Sequence, residues 1–324
     1  MLFLAPNIDA FISTDLEILQ RKYDVEPLTW RGIASIPRLA SRITKSDIVF
    51  SWFAGDHSAT ASLISSALGI PHIVVSGGVD VANMPEINYG AMSAGTRKAL
   101  PTKVALGFAT IVLAFSEFSS GEIARAHDPR VLRTLYLGVD TRRFSPAIVK
   151  EGIVLTVGQV SAGNLKRKGM EPFVSSARRL PQYRFILAGK GLDGTLDQLR
   201  STAPPNLTLP GFVPPDDLVK LYAKSRVYVQ ASAHEGFGVA LAEAMSSGCI
   251  PVISNMGALP EVAGDVGQKV TFDDDEELAE AINRAMSMPA SEGFRARKRI
   301  QENFDLDRRE EGLTRIIDGL IEDR

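Results

Sequence analysis

Short, continuously apolar runs alternate with longer segments of helical periodicity along the chain. Apolar residues in these runs follow one another instead of alternating with polar ones, which is typical of strands buried on both faces of a parallel sheet. In the first half, the predicted strands are residues 2–5, 47–52, 72–76, 110–116 and 134–137. Segments with helical spacing, such as residues 59–68 and 97–109, lie between them and complete a β-α-β rhythm.

The same rhythm starts again after a turn-rich break, so the sequence predicts two successive α/β domains. The second set of predicted strands is residues 153–157, 184–188, 207–210, 226–230, 250–254 and 268–271. We place the linker at residues 141–151. Ligands of such sheets bind outside the carboxyl ends of the strands, which predicts a cleft between the two domains. The expected division is an N-terminal domain at 1–145, a C-terminal domain at 146–305 and a packing helix at 306–324.

Composition is that of an ordinary globular protein, with 324 residues, 45% apolar, 23% charged and a formal net charge of -2. This near-neutral balance gives no global attraction to nucleic acid, and no nucleic-acid partner is expected. No stretch approaches the roughly 20 apolar residues that span a bilayer. The apolar start of the chain lacks the basic region of a signal peptide. The expected location is cytoplasmic, and peripheral contact with the inner face of a membrane stays open.

Little in the sequence points to metal chemistry. The single cysteine, Cys249, lies in an apolar run and is expected to be buried. No cysteine and histidine residues have the spacing of a zinc site. The acidic residues 273–276 are interpreted as a helix start, because carboxylates are favoured there.

Residues 232–248 form the richest stretch for chemistry, since a glycine-rich loop follows a predicted strand and precedes a helix-forming run. Gly236 and Gly238 allow a ligand to approach the backbone closely. The N–H groups of Phe237, Gly238 and Val239 are predicted to lie at a helix N-terminus, which suits a diphosphate. Taken alone, this pattern also fits a purely structural turn.

Two carboxylates flank this predicted phosphate site, Glu235 in the loop and Glu243 in the helix. Carboxylates do not bind phosphate, but each accepts two hydrogen bonds from a diol. One glutamate for a ribose diol and one for a sugar diol is the economical interpretation, although two surface glutamates fit as well. His234 either contacts a ligand in the same cleft or packs at the end of the strand.

A second loop carries a cluster of cations. It begins at Gly158, after a predicted strand, and leads through Lys166, Arg167 and Lys168 to Gly169 and a helix. Three cations at the carboxyl end of a strand, next to a helix start, suit a diphosphate. A solvated basic turn is the alternative for these residues.

Residues 232–264 resemble the C-terminal signature of family 4 glycosyltransferases. They contain a glutamate, Gly-Phe-Gly, a second glutamate eight positions after the first, Ala-Met, a strand beginning Gly-Cys-Ile-Pro-Val, and Gly-Ala-Leu-Pro-Glu. The resemblance covers most of residues 150–305 and, more loosely, residues 45–140. It implies a GT-B fold, in which two Rossmann-like parallel-sheet domains face each other across a cleft, with the donor bound by the C-terminal domain and the acceptor by the N-terminal one.

The resemblance also assigns roles. Glu235 is expected to contact hydroxyls of the donor sugar, and Glu243 the ribose of the nucleotide. Lys168 and the glycine after it match a pair that holds the diphosphate in the family. The family's basic residue just after this strand, usually arginine, is Gln159 here, which leaves Arg167 or Lys166 as a substitute. The expected donor-binding residues are Gly158, Arg167, Lys168, His234, Glu235, Gly236, Phe237, Gly238, Val239 and Glu243.

The N-terminal half gives weaker signals. The loop at residues 5–10 has none of the glycines usual in the family. After the strand at residues 72–76, where the family often places a catalytic-site histidine, this chain has Gly78 and Asp80. Asp80 is either an acceptor-positioning carboxylate or a helix cap, and His57 is either an acceptor contact or structural. The expected catalytic residues are Glu235, Lys168, Asp80 and His57.

One helical segment of this half combines Arg97, Lys98 and Lys103 with apolar side chains. A basic amphipathic helix can lie on an anionic membrane, and in related enzymes with lipid acceptors the N-terminal domain does so. An ordinary surface helix is the alternative.

The resemblance implies a retaining, hexosyltransferase-type reaction that moves a sugar from a nucleotide diphosphate sugar to a hydroxyl of a sugar, a glycolipid or another acceptor. No cofactor and no obligatory metal are expected, because Lys168 and the helix start meet the charge of the leaving group. Two alternatives stay open. One is a nucleotide-sugar epimerase of the same architecture, which would need acid and base residues around the sugar. The other is a degenerate binding protein, motivated by Gln159 and the missing loop glycines.

Overall fold

The computed structural model describes residues 1–8, 10–93 and 95–322; Asp9, in the loop after the first predicted strand, lies outside the described residues. The chain divides into two compact units, Met1–Leu137 with Asp307–Arg324, and Gly138–Leu306. Each unit contains one six-stranded sheet with helices along it. The predicted fold class, two Rossmann-like α/β units, is confirmed.

The first sheet is entirely parallel. Its strands are β1 (Leu2–Ala5), β2 (Glu26–Thr29), β3 (Val49–Trp52), β4 (His72–Ser76), β5 (Ile111–Ala114) and β6 (Leu132–Thr134), in the spatial order β2-β1-β3-β4-β5-β6. The helices between them are α1 (Ala10–Gln20), α2 (Ile36–Ile43), α3 (Asp56–Leu68), α4 (Thr96–Phe108) and α5 (Glu117–Ala126).

The central strands of this sheet have the continuously apolar sequences from which they were predicted, whereas the two edge strands do not. Every residue of β1, β3, β4 and β5 is buried, which explains their continuously apolar sequences. The edge strand β2 buries only Leu28 and was not predicted. The other edge strand, β6, has no buried residue, and the prediction of a strand at residues 134–137 was wrong by two to three positions.

The second sheet is also entirely parallel, and all six of its strands were predicted. They are β7 (Glu151–Val157), β8 (Arg184–Ala188), β9 (Leu207–Gly211), β10 (Ser225–Gln230), β11 (Ile250–Ser254) and β12 (Gln268–Val270), in the order β12-β11-β10-β7-β8-β9. The helices of this unit are α6 (Ala162–Arg167), α7 (Met170–Arg179), α8 (Thr195–Thr202), α9 (Pro215–Lys224), α10 (Val239–Ser246), α11 (Leu259–Ala263), α12 (Asp275–Ser287) and α13 (Ala290–Asn303).

In each sheet the winding direction of the chain reverses at one place. In the first sheet β1 lies between β2 and β3, and in the second sheet β7 lies between β8 and β10. Loops that leave such a switch point run in opposite directions and open a crevice at the carboxyl ends of the strands, where ligands of open α/β sheets bind. The topology therefore points to one crevice in each unit, after β1 and β3 and after β7 and β10.

The last helix, α14 (Leu306–Glu322), packs on the first unit. Arg309 and Asp15 form a fully buried ion pair of 2.7 Å, and Arg309 also donates 2.6 Å to the carbonyl oxygen of Leu135. Leu313 and Ile317 are fully buried, as expected of a helix that packs on a domain. Within the described ranges, no helix is long and apolar enough to cross a membrane.

Candidate functional site

The crevice of the second unit is formed by the loops after β7 and β10, which are joined by direct contact. Gly169 has φ +63°, and a Cβ atom there would lie 2.1 Å from the carbonyl oxygen of Ala231. The N–H of Ala233 donates 2.7 Å to the carbonyl oxygen of Arg167. No larger residue fits at position 169 without a shift of the backbone, so this glycine brings Lys168 against the loop that follows β10.

Glu235 and Lys168 form an ion pair across these two loops. Only 13% of the Glu235 side chain and 23% of the Lys168 side chain are exposed, and the Ser232 hydroxyl donates 2.9 Å to Glu235 Oε1. Burial pushes the pKa of Glu235 upwards, but the Lys168 charge and hydrogen bond, with Gln230 and Arg167, outweigh it and hold the pKa below its usual value. Glu235 is therefore an ionised carboxylate at neutral pH.

The main chain of Glu235 is fixed by the motif that begins at Gly257. This glycine has φ +62°, and a Cβ atom on it would lie 2.7 Å from the carbonyl oxygen of Glu235. The N–H of Ala258 donates 2.9 Å to that same oxygen. Since the glycine lets two loops touch, the Gly-Ala-Leu-Pro-Glu motif acts as a support for Glu235.

The helix start predicted as an anion site is present. Helix α10 begins at Val239 after Gly238, whose φ is +96°, and its first turn has neither an acidic residue nor a side-chain cap. Its first N–H groups come before the first helical hydrogen bond, from Ala242 to Gly238, and such groups attract anions. Phe237 is buried and its ring lies 5.4 Å from the ring of Phe304, so its side chain packs inside the second unit.

Glu243 stands on α10 in a different environment from Glu235. Burial raises the pKa of Glu243 to about 7, although the neighbouring Tyr222 and Arg143 act in the opposite direction. The side chain keeps part of its surface exposed. One carboxylate of the crevice is thus held ionised while the other titrates near neutrality, and strongly perturbed carboxyl pKa values are typical of functional sites.

The remaining cations of the loop after β7 have separate partners. Lys166 lies 3.1 Å from Asp273, whereas Arg167 donates 2.6 Å to Asn164 and lowers the pKa of Glu235 by its charge. Gln159 is exposed at the carboxyl end of β7. Of the two predicted substitutes for the missing family arginine, Arg167 is the one whose charge reaches Glu235.

Two further predicted residues lie among the main-chain contacts of the crevice. Gly158 follows β7, and its carbonyl oxygen would lie 1.8 Å from a Cβ atom built on Gly189, so the loops after β7 and β8 touch here. His234 is buried immediately before Glu235. His234 also interacts with other residues of the chain.

Asp80 and His57 belong to the first unit, at the carboxyl ends of β4 and β3, and both are buried. The Asp80 carboxylate accepts three hydrogen bonds. Its donors are the N–H of Ala54 at 2.8 Å, the N–H of Gly78 at 2.9 Å and the Ser76 hydroxyl at 2.6 Å. The Nε2 atom of His57 lies 2.7 Å from the carbonyl oxygen of Trp52, and burial lowers the pKa of His57. Both side chains therefore make hydrogen bonds that stabilise the loops of the first unit.

Several polar side chains around the two glutamates escaped the sequence analysis. Ser232 binds Glu235 directly, and the Gln230 Oε1 atom and the Tyr228 hydroxyl are buried with no hydrogen-bond partner among the described residues. Their signal was present, since polar side chains interrupt an otherwise apolar strand that leads straight into the glutamate loop. In the described part of the chain, no three His, Cys, Asp or Glu side chains cluster as a metal ion requires.

Comparison with known protein families distinguishes between the functions that are compatible with this geometry. The family described as glycosyl transferases group 1 matches residues 139–305. This chain belongs to that family. The matched residues coincide with the second unit, so the glutamates, the glycines and Lys168 lie inside the part that the glycosyl transferases group 1 family shares.

Two curated relatives are described as mannosyltransferases. O-antigen chain mannosyltransferase B of Escherichia coli is 35% identical over 185 residues, which cover 50% of this chain and 48% of that protein. The GDP-mannose:cellobiosyl-diphosphopolyprenol alpha-mannosyltransferase of Xanthomonas campestris is 29% identical over 210 residues, or 60% of this chain and 53% of that protein. The chain therefore spans about half the length of the curated relatives it matches.

Solved structures resemble the whole chain. Sucrose-phosphate synthase from Thermosynechococcus elongatus superposes with a TM-score of 0.80 at 16% identity, covering 100% of this chain and 99% of that one. Anabaena HepE, in complex with UDP, gives a TM-score of 0.82 at 17% identity, with 98% and 99% coverage. At these identities the likeness establishes the fold, which is GT-B.

Proposed function

We propose that this chain is a retaining glycosyltransferase that moves a hexose from a nucleotide diphosphate sugar to an acceptor hydroxyl. The observation that carries the proposal is the arrangement around α10. Glu235 and Glu243 flank the start of this helix, which has no acid in its first turn, and Lys168 is in contact with Glu235. The helix start would hold the diphosphate of a nucleotide sugar, and the two glutamates would accept hydrogen bonds from its ribose and its sugar.

The roles follow from the environment of each group. Glu235 is held ionised by Lys168, so it is a permanent bidentate acceptor for hydroxyls of the donor sugar. Glu243 accepts from the ribose diol. We assign no nucleophile to the protein, because the two glutamates serve as hydroxyl acceptors rather than as the acid and nucleophile of a hydrolase.

The departure of the leaving group determines which charge the site has to stabilise. Negative charge grows on the nucleoside diphosphate as the sugar leaves, and preorganised donors aimed at that charge lower the barrier. Lys168, Arg167 and the first N–H groups of α10 supply such positive charge, which supports a reaction that needs no metal ion and no further cofactor.

The curated relatives suggest which donor to test first. Two are described as mannosyltransferases, one of them with GDP-mannose as donor, whereas the structural neighbour HepE holds UDP. We propose GDP-mannose as the first donor and UDP-glucose as the comparison. The acceptor is assigned to the first unit, and membrane contact through α4 is part of the proposal, because Leu100 and Phe108 of that helix are exposed.

Cleavage of the donor tests the proposal. The purified chain is incubated with GDP-mannose or UDP-glucose in water, which acts as a slow acceptor, and the release of nucleoside diphosphate is measured. Release from one donor is expected for the wild type, with a loss of about tenfold or more for Glu235→Gln, since a charge-assisted contact to the reacting sugar is removed. Lys269→Gln, an exposed cation on β12, is the matched control.

Each alternative has its own outcome. An epimerase converts the nucleotide sugar into an isomer without releasing nucleotide, and NMR of the sugar detects this. A binding protein raises its melting temperature with the nucleotide sugar but releases nothing. Either result contradicts the proposed transfer. The family match and its relatives favour the transferase over the epimerase.

A further inference from the structure

We propose that Tyr222 is a positioning residue for Glu243: its hydroxyl donates a hydrogen bond to the inner side of the ionised carboxylate and holds that carboxylate ready for the ribose diol of the donor nucleotide. Because the Tyr222 side chain is fully buried, it acts through Glu243 and not by contact with the nucleotide. The inference rests on the proposed glycosyltransferase function and deepens it, because it names a residue that determines the pH range in which the donor site binds.

The first observation is a buried hydroxyl that packing alone does not explain. Tyr222 lies on α9 and its side chain is fully buried. Its hydroxyl makes no hydrogen bond of ordinary length and angle with any residue that the structure describes. A buried hydroxyl without a partner costs free energy, and phenylalanine would fill the same space without that cost. Packing therefore accounts for the ring of Tyr222 but not for its oxygen atom.

The second observation is that Tyr222 is held in place from several sides. Its ring lies 6.0 Å from the ring of Phe144 and 5.9 Å from the ring of Tyr228, both in edge-to-face contacts. Its carbonyl oxygen accepts hydrogen bonds of 3.2 Å from Lys150 Nζ and of 3.2 Å from Cys249 Sγ. Since the ring and the main chain are both fixed, the hydroxyl cannot turn towards another partner.

The third observation is that this fixed hydroxyl acts on Glu243. Helices α9 and α10 pack against each other. Burial raises the pKa of Glu243 to about 7, and the interaction with the Tyr222 hydroxyl opposes that rise. Burial also raises the pKa of Tyr222 well above its usual value, and the charge of Glu243 adds to that shift. Tyr222 therefore remains a protonated donor throughout the range in which Glu243 titrates.

An ionised carboxylate at this position needs hydrogen-bond donors on two sides. A ribose diol supplies two donors on the side that faces the crevice, and Tyr222 supplies one on the buried side. A hydrogen bond to a charged acceptor is stronger than one between neutral groups. Loss of the Tyr222 hydroxyl should therefore make the ionised form of Glu243 less favourable and leave the protonated form almost unaffected.

Other titratable groups near Glu243 are the same in the wild type and in a Tyr222→Phe variant. Arg143 also lowers the pKa of Glu243, and it is exposed and pairs with Asp216 at 3.0 Å. Titratable side chains also occur on the other elements packed against α10, and these are Tyr228 of β10, Cys249 before β11, Glu261 of α11 and Arg297 of α13. The substitution leaves all of them in place, so the difference between the two proteins cancels their titration.

Urea unfolding at about pH 6 and about pH 8.5 tests the contact without any ligand. Loss of the donor raises the pKa of Glu243 further, so Tyr222→Phe should lose stability relative to the wild type as the pH rises through about 7. At the lower pH it should be at least as stable as the wild type, because an unpaired buried hydroxyl has been removed. In a Glu243→Gln background the same substitution should have an effect that does not change with pH, because no carboxylate ionises there.

Isothermal titration with GDP and UDP tests the consequence for the donor site. At about pH 6.5, Tyr222→Phe should bind the nucleotide about tenfold more weakly than the wild type, since a hydrogen bond to the charged carboxylate is missing. At about pH 9 both proteins carry an ionised Glu243, so the two affinities should converge. Tyr183→Phe removes a hydroxyl of the same unit that donates 2.8 Å to Asn283; it is the matched control and should bind like the wild type at both pH values.

Three outcomes overturn the inference, provided that circular dichroism shows every variant to be folded. A stability difference between Tyr222→Phe and the wild type that is the same at both pH values shows that no donor acts on Glu243. A loss of nucleotide affinity that is equal at both pH values gives Tyr222 a purely structural role. Absence of nucleotide binding by the wild type refutes the proposed donor site and the ribose contact with it, whereas the unfolding experiment still decides whether Tyr222 donates to Glu243.

Discussion

Replacing Glu243 with glutamine is predicted to stabilise the second unit above neutral pH and to weaken nucleotide binding at the same time. Burial raises the pKa of Glu243 from 4.5 to about 7, and one pKa unit corresponds to about 1.4 kcal/mol. An ionised Glu243 therefore lowers the free energy of unfolding by about 3 kcal/mol at most. Because its side chain is partly exposed, we expect about 1–2 kcal/mol.

The sign follows from proton linkage. The folded state binds the Glu243 proton more tightly than the unfolded chain, so the wild type loses this contribution as the pH rises from about 4.5 to about 7. Glutamine carries no titrating group, and the stability difference between variant and wild type should grow across that window. The nucleotide needs the ionised carboxylate, so wild-type affinity for a nucleoside diphosphate should rise across the upper part of the same window.

Urea unfolding followed by circular dichroism at about pH 5 and about pH 8 measures this difference, and the subtraction cancels groups that both proteins share. Glu280→Gln, a carboxylate on the exposed face of α12, is the matched control and should show no pH-dependent gain. Two results would refute a buried, destabilised carboxylate at this position. One is a Glu243→Gln protein that is less stable than the wild type at pH 8, and the other is a stability difference between the two proteins that is the same at both pH values.

Three further predictions test buried contacts within each of the two units. Asp15→Ala should lower the free energy of unfolding by about 3–5 kcal/mol in chemical denaturation, since Arg309 is left buried and unpaired, whereas Glu311→Ala, an exposed carboxylate of the same helix, should have little effect. Gly169→Ala should cost about 1–3 kcal/mol for its positive φ alone and abolish nucleotide binding; retained binding in a titration would contradict the close contact seen here. Cys249, whose pKa is raised to about 11 by burial, should resist a thiol reagent at pH 8 until urea unfolds the chain, and rapid labelling of the native protein would count against that burial.

The central strands could be predicted because burial on both faces leaves one signature, a continuous apolar run. Edge strands lack it. Strand β2 buries only Leu28 and β6 buries nothing, so their pairing depends on neighbours that are distant in sequence. The edge strands of the second sheet were predicted, because β9 buries Leu207 and Leu209 and Gly267 marks the start of β12.

The residues of the candidate site could be predicted from a sequence motif, but the contacts between them could not. The spacing of Glu235, Glu243 and the glycines identified the loop, and the contact of Lys168 with Glu235 joins residues that are 67 positions apart. Neither the role of Gly257 as a support nor the opposite pKa shifts of the two glutamates is visible in the sequence, because both depend on which backbone packs against each side chain.

Binding of a nucleoside diphosphate to the crevice after β7 and β10 is the most direct test of the account. The measurement is isothermal titration with GDP and UDP of the wild type, Lys168→Gln and the control Lys269→Gln. The account predicts that one nucleotide binds the wild type and the control alike, with affinity reduced by about tenfold or more in Lys168→Gln. Equal binding by all three proteins, or no binding of either nucleotide to the wild type, would contradict a donor site at this place.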